Sequence, residues 1–114
     1  MVSIKRGDII LVNFDPTVGA ETQKTRPALV VSNDINNVHS PIVSISPITS
    51  NVKRVYSFEV EIPAGMGGLK IHSKIMIHQT RAVDKIRIIK KLGQLTSFIM
   101  AEVEQALKIH YDLE

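Results

Sequence analysis

The sequence predicts a mainly β protein, a small and strongly bent antiparallel barrel with one helix packed against it. Short runs rich in β-branched residues, bounded by Gly, Pro, Asn and Asp, recur along the chain as far as Gly93, and such runs are typical of strands. After Gly93 the spacing of apolar residues changes to that of an amphipathic helix.

The predicted strands span residues 9–14, 28–32, 42–48, 57–62, 74–80 and 86–92. The run 57–62 alternates cleanly, which predicts that Phe58, Val60 and Ile62 face the core while both glutamates face water. Residues 63–68 form a glycine-rich turn, and Gly93 ends the last strand. We expect about five to seven strands in total.

The C-terminal helix is predicted to begin at Thr96 or Ser97, because either side chain can cap the first turn. Its apolar stripe has the spacing of one helix face and consists of Ile99, Val103, Ala106, Leu107 and His110. This helix would cover part of the barrel.

Length and composition limit the class of protein. The 114 residues fit a single domain, 1–114, with a core of its own. The absence of cysteine excludes disulfides and thiolate metal sites. The N-terminus lacks the apolar core of a signal peptide, and no apolar run approaches the roughly 20 residues of a membrane helix. We therefore expect a soluble, cytoplasmic protein that does not bind membranes.

Charge is distributed unevenly although the net charge is only +3. The basic stretch contains Lys70, Lys74, Arg81, Lys85, Arg87, Lys90 and Lys91 against Asp84 alone, whereas residues 92–114 are acidic. A basic stripe on a compact domain attracts polyanions. The alternative is a solvated lysine face without a partner.

The long polar loop between the first two predicted strands is the predicted working surface. It is longer than a hairpin requires, and such loops are usually functional. Arg26 closes the loop directly before Pro27, which restricts the backbone on both sides of the bond between them. A rigidly held guanidinium suits phosphate, so Arg26 favours nucleic acid as the partner of the basic stripe.

A metal site is not predicted. The histidines are scattered, without a helical i, i+4 pair or a cluster of carboxylates beside them; they are His39, His72, His78 and His110. We expect neither a metal nor another cofactor.

An ordered set of residues resembles the MazF/PemK toxins of bacterial type II toxin–antitoxin modules. The set comprises Arg6, Gly7, Asp8, Pro16, Gly19, Glu21, Arg26, Pro27, Pro47, Ile48, Thr49 and the segment 78–88, HQTRAVDKIRI. The resemblance covers about residues 5–107. It implies an SH3-like barrel of the MazF/PemK/CcdB type with a C-terminal helix, a homodimer, a sequence-specific endoribonuclease that cuts single-stranded mRNA without a metal, and an antitoxin that occupies the RNA groove.

The resemblance places the family's catalytic pair on Arg26 and Thr49 and its RNA-contacting loop on residues 16–25. Many relatives have an acidic residue at the position of His78, and some have histidine at the position of Thr25. The expected RNA-binding residues are Asn13, Gly19, Thr22, Gln23, Lys24, Thr25, Gln79 and Arg81.

Cleavage by the adjacent 2′-hydroxyl needs a proton acceptor, a proton donor and positive charge at phosphorus. Arg26 stays protonated and would supply charge, while the Thr49 hydroxyl would orient the phosphate. Our hypothesis gives His78 one proton transfer and Glu21 the other.

Each of these roles has a structural alternative. Arg26 could form a salt bridge to Glu21 or Asp15, Thr49 could be a turn residue, and His78 could be structural. Phe14 and Tyr56 are the aromatic residues nearest the expected groove, and we interpret them as core and barrel edge rather than as stacking platforms.

A non-catalytic function is the alternative at the level of the whole protein. The same barrel occurs in toxins that poison DNA gyrase by binding, and a small barrel can serve as a binding module alone. The gyrase-poisoning toxins use a tryptophan near the C-terminus, and this chain contains no tryptophan.

Overall fold

The architecture is a bent β-sheet with one long helix, seen in a computed structural model that describes residues 3–16, 18–21 and 24–114. In chain order the elements are β1 (Asp8–Asn13), β2 (Thr25–Val30), α1 (Asp34–His39), β3 (Ile42–Thr49), β4 (Val60–Ile62), β5 (Ser73–Ile75), β6 (Arg81–Asp84), β7 (Ile88–Gln94) and α2 (Ser97–His110). Single 3₁₀ turns at Ile77–Gln79 and Lys85–Arg87 lie before and after β6.

The sheet follows the order β4-β5-β3-β2-β1-β7, with β6 beside β3. Every strand pair in the described part of the chain is antiparallel. The prediction of a mainly β, antiparallel fold with a C-terminal helix is therefore confirmed.

The sheet divides along β3. One edge of β3 pairs with β2, while the other pairs first with β6, where Ile45 lies opposite Arg81, and then with β5, where Ile48 lies opposite Ile75. The 3₁₀ turn Ile77–Gln79 bridges the gap between these two partners. The division opens the sheet at residues 77–80.

Two apolar cores lie on opposite faces of the sheet, because successive strand side chains point to opposite sides. Ile9 therefore belongs to the first core and Ile10 to the second. The first core also takes in α2 through Ile99, Met100, Val103 and Ala106. The second core is built from Ile4, Ile10, Val12, Phe14, Ala28, Val30, Val43, Ile45 and Val83. Each fully buried side chain of this size contributes roughly 1.5–3 kcal/mol to stability.

Helix α2 begins where the sequence predicts. The Thr96 hydroxyl accepts a hydrogen bond from the backbone N–H of Ile99 at 3.3 Å, which caps the first turn. Val103 and Ala106 are buried as expected, whereas His110 is exposed and lies beyond the buried part of the stripe.

Several predicted elements differ from the structure. The strand predicted over 57–62 is shortened to β4, and Glu59 is buried, so the prediction that it faces water is wrong. A strand was also predicted over 74–80, but β5 ends at Ile75 and the 3₁₀ turn Ile77–Gln79 follows it. Strand β7 passes through Gly93 to Gln94 instead of ending before it.

Helix α1 and strand β6 were not predicted. Asn33 caps α1 by accepting a hydrogen bond from the backbone N–H of Asn36 at 2.9 Å, but Ile35 and Val38 are exposed, so the helix has no buried apolar stripe to reveal it. None of the helices in the described residues has the length and apolar character needed to cross a bilayer.

Candidate functional site

Arg26 and Thr49 are neighbours across two paired strands. Ala28 lies opposite Pro47 at the last pair of the β2–β3 ladder, and Arg26 and Thr49 each lie two residues beyond that pair. Both residues line one recess of about 580 Å³ together with residues 50–53, which we name the Thr49 recess. The structure therefore brings together the two residues to which the resemblance assigns catalysis.

Strand β1 holds the backbone of Arg26. Arg26 lies opposite Val12 of β1, and directly opposed residues project from the same face of a sheet. Val12 belongs to the second core, so Arg26 lies at the open end of that core, half-buried. The backbone of Arg26 is held in the sheet, and its side chain lines the Thr49 recess.

Thr49 ends β3 and has a structural role as well. Its Oγ1 accepts a hydrogen bond from the backbone N–H of Asn51 at 3.2 Å, so the alternative of a turn residue describes part of its function. A hydroxyl also has a proton to donate. Thr49 can therefore stabilise the turn and still donate to a phosphate oxygen.

A second recess, of about 520 Å³, lies where the sheet divides. It is lined by Ala20, Glu21, His78, Gln79, Thr80 and Arg81, and we name it the His78 recess. The four residues predicted to be catalytic thus fall into two recesses, Arg26 with Thr49 and Glu21 with His78.

The contacts of His78 and Glu21 are partly structural. The exposed His78 ring meets Phe58 edge to face, with centroids 4.8 Å apart, and Phe58 stacks in parallel on Tyr56 at 5.1 Å. Glu21 Oε1 accepts a hydrogen bond from the backbone N–H of Val18 at 2.8 Å. Both side chains are exposed and can reach a ligand in the His78 recess.

Arg81 presents a cation to the His78 recess. Its guanidinium carbon lies 5.9 Å from the centroid of the Phe14 ring, and Phe14 is fully buried, as interpreted from the sequence. Arg81 Nη1 is buried without a hydrogen-bond partner among the described residues. Buried donors are nearly always satisfied, so this nitrogen is an exception within the described part of the chain.

The base of the loop between β1 and β2 is clamped by Arg87. Its Nη1 donates to the carbonyl oxygens of Asn13 at 3.2 Å and Asp15 at 2.6 Å. Phe14 N–H donates to the carbonyl oxygen of Lys24 at 2.9 Å across the same base. The sequence lists Arg87 only as one of several basic residues. It does not predict this clamp, because the partners of Arg87 are main-chain groups more than seventy positions earlier.

The remaining expected RNA-binding residues of the loop are accessible where described. Asn13, Gly19, Lys24 and Thr25 are exposed, and Gln79 is half-buried in the His78 recess. Thr22 and Gln23 lie outside the described residues.

The basic stretch is largely engaged inside the protein. Lys74 is buried against Glu59, Lys85 donates to the carbonyl oxygen of Asn37 at 2.6 Å, and Lys91 lies 3.2 Å from Asp8. Lys70 and Lys90 are exposed, so the basic stretch divides between internal contacts and the surface. Positive charge near Arg26 comes instead from exposed lysines on three segments, Lys24, Lys53 and Lys70.

Among the residues that the structure describes, no group of three or more His, Asp or Glu side chains is placed to hold a metal ion.

Comparisons with known proteins agree on one family. The family model described as PemK-like, MazF-like toxin of type II toxin–antitoxin systems matches residues 5–111. Endoribonuclease MazF9 of Mycobacterium tuberculosis is 35% identical over 115 residues, covering 96% of this chain and 98% of that protein. Endoribonuclease EndoA of Bacillus subtilis is 36% identical over 107 residues, covering 93% and 92%.

Solved structures give the same result. The crystal structure of MazF from Deinococcus radiodurans superposes with a TM-score of 0.87 at 28% identity, covering 99% of this chain and 100% of that one. A crystal structure of MazE–MazF from the same organism gives 0.81 at 28% identity, covering 100% of each chain. The barrel-like fold expected from the sequence is therefore confirmed.

Proposed function

Because the chain belongs to the PemK/MazF family of toxins of type II toxin–antitoxin systems, we propose that it is an endoribonuclease that cuts single-stranded mRNA. The observation that carries this proposal is the placement of Arg26 beside Thr49 in one recess. The names of MazF9 and EndoA, both endoribonucleases, support it.

The reaction is an internal transesterification. The 2′-oxygen attacks the adjacent phosphorus, a P–O2′ bond forms, and the P–O5′ bond breaks with its electron pair passing to O5′. One proton leaves the 2′-hydroxyl and one reaches O5′, so the products are a 2′,3′-cyclic phosphate and a 5′-hydroxyl. The protein must supply proton transfer and stabilise negative charge on the phosphorane.

Arg26 supplies that stabilisation. Its guanidinium remains charged and offers two parallel N–H donors to phosphate oxygens. Pairing with Val12 of β1 fixes the backbone of Arg26, which reduces the ordering required as the charge develops. Thr49 donates a further hydrogen bond from its hydroxyl and fixes the phosphate relative to Arg26.

His78 and Glu21 are the proposed proton-transfer pair. They share the His78 recess, and imidazole and carboxylate are both competent general acids and bases. To act on a phosphate held by Arg26, they must reach its 2′-oxygen and O5′ directly or through one water, so the scissile phosphate lies between the Thr49 recess and the His78 recess and the RNA continues into both. Arg81 and Gln79 then contact the RNA along this path.

Recognition of sequence falls to polar groups of the loop. We propose base or backbone contacts by Asn13, Gly19, Thr22, Gln23, Lys24 and Thr25, in keeping with the way single-stranded RNA exposes its base edges. The main-chain clamp by Arg87 holds the loop over the site.

The proposed partners are single-stranded RNA, a cognate antitoxin and a second copy of the chain in a homodimer. The MazE–MazF structure shows a related toxin with its antitoxin. An acidic, extended antitoxin segment would compete with RNA for the cationic site.

Cleavage of a mixed-sequence transcript by the purified protein tests the proposal. We expect cuts with 5′-hydroxyl ends, retained in excess chelator, and a loss of about 100- to 1,000-fold in rate in Arg26→Ala, the range for removal of one transition-state donor. Lys108→Ala, which removes an exposed cation of α2, is the control and should cut normally. A folded parent protein that binds RNA without cutting it would favour a non-catalytic binding module, and one that instead inhibits DNA gyrase would favour a gyrase poison.

A further inference from the structure

Arg26 also borders a third recess, which Thr49 does not line. This recess, of about 340 Å³, is lined by residues 24–27, Ile48, Ser50 and residues 69–71 and 73; we name it the Lys70 recess. Arg26 and Ser50 also line the Thr49 recess. These two residues therefore form the border between the two recesses, which we name the ridge.

The lining of the Lys70 recess combines cations with apolar surface. Lys24 and Lys70 are exposed, Ile71 is 59% exposed, and Leu69 is buried beneath them. The volume lies within the range of roughly 300–1,000 Å³ that is typical of small-ligand sites. A nucleotide complements both kinds of surface, since the face of its base is apolar and its phosphate is anionic.

The wall that carries Lys70 is fixed to the sheet. A Cβ on Gly68 would lie 2.1 Å from the carbonyl oxygen of Leu92, and one on Gly93 would lie 2.5 Å from the backbone of Gly67, so the two backbones touch directly. Leu69 closes the turn by accepting a hydrogen bond from Gly65 N–H at 2.8 Å. A wall fixed in this way adds little ordering cost when a ligand binds.

We propose that the Lys70 recess holds the nucleotide adjacent to the scissile phosphate, across the ridge from the Thr49 recess, a proposal that rests on the proposed nuclease function. Lys70 contacts the phosphate of that nucleotide, and Ile71 packs against its base. The RNA thus crosses the ridge of Arg26 and Ser50 with one nucleotide in each flanking recess.

Kinetics on short oligonucleotides test this assignment. From a mapped cleavage site, substrates that are cut once are shortened one nucleotide at a time from each end and assayed with the parent protein, Lys70→Gln and the matched control Lys108→Gln. We expect Lys70→Gln to raise KM about 5- to 10-fold with kcat unchanged, as loss of one phosphate contact does. The slope of log KM against log salt should fall by about 0.7, the value per phosphate for single strands.

Substrate truncation locates the contact. The difference between the parent protein and Lys70→Gln should disappear when nucleotides are removed from one end of the substrate and persist when they are removed from the other. Lys70→Arg should restore KM, and Ile71→Ser should change KM most where the base at that position is varied. The proposal is overturned if Lys70→Gln matches Lys108→Gln on every substrate, or if the difference survives truncation from both ends.

Binding without chemistry separates this proposal from the nuclease function. A fluorescent oligonucleotide is titrated against Arg26→Ala with and without Lys70→Gln. A weaker Kd in the double variant supports the Lys70 contact even if the parent protein cuts nothing, whereas equal Kd values overturn it even if the parent protein is an active nuclease.

Discussion

Lys74 and Glu59 form a buried ion pair, with Nζ and Oε1 3.0 Å apart and the side chains only 11% and 2% exposed. The same ammonium donates to the carbonyl oxygen of Arg54 at 2.7 Å, and the same carboxylate accepts from the backbone N–H of Tyr56 at 2.9 Å. Thr49 lies opposite Lys74 across β3 and β5. The pair therefore ties segment 54–59, which follows the Thr49 recess, to the strand beside Thr49.

Removing one member of this pair should destabilise the protein strongly. We expect Lys74→Met to lower the free energy of unfolding by about 3 kcal/mol, because an unpaired charge stays buried. The double variant Lys74→Met with Glu59→Leu should recover most of that loss. Urea denaturation followed by circular dichroism measures both, and a single variant as stable as the parent would contradict the importance of the pair.

The contact between Gly68 and β7 predicts a difference between two glycines. Gly65 and Gly68 both have positive φ, at 87° and 81°, but an added Cβ on Gly65 meets nothing within 4 Å whereas one on Gly68 meets the Leu92 carbonyl. Gly65→Ala should cost about 1–2 kcal/mol from backbone strain alone. Gly68→Ala should cost several kcal/mol, since a clash with backbone is added to the strain. Equal losses in thermal or urea unfolding would show that the backbones do not touch as described.

The role of His78 can be read from a pH–rate profile. If His78 transfers a proton, His78→Asn should lower kcat by about 100-fold and remove one limb of the profile. His39→Asn, in exposed α1, is the control and should leave the profile unchanged. A profile for His78→Asn with the shape and height of the parent's would restrict His78 to its contact with Phe58.

Asp34 gives stability a defined pH dependence. Hydrogen bonds from the backbone N–H of Arg6 and then from the Asn37 side chain hold the pKa of Asp34 below its ordinary value of 3.8. A carboxyl whose pKa is lowered by folding stabilises the fold while ionised, so its contribution is complete above the unfolded pKa and disappears as pH falls through the folded one. Asp34→Asn should therefore lower the urea midpoint at pH 7 and make progressively less difference below about pH 4. A gap that stays constant with pH would contradict this assignment.

The sequence predicted correctly those elements whose burial pattern is set by residues close together in the chain. The buried stripe and Thr96 cap of α2, and the β-branched runs of β1 and β3, are properties of neighbouring residues. Glu59 could not be placed in the same way, because its burial depends on Lys74, which lies fifteen positions later and in another strand. Strand β6 has only four residues, too few for a periodicity to emerge.

The site was predictable in part. The sequence itself identified Arg26 as a rigidly held cation, but the partnership of Arg26 with Thr49 came from the resemblance, and the recess that both residues line gives its physical basis. The division of Glu21 and His78 into a separate recess depends on where β3 changes partners. Lys70 appeared only as one of several basic residues, because its position beside Arg26 depends on glycine backbones packed against β7.

The attachment of Arg87 to Asn13 and Asp15 is made entirely to peptide carbonyls, which every amino acid provides. Side chains of the loop that follows Asp15 can consequently differ between members of the family while the attachment at the base of the loop is kept. Under the proposed nuclease function, exchanging these side chains should change which RNA sequence is cut and leave the rate constant of cleavage unaltered.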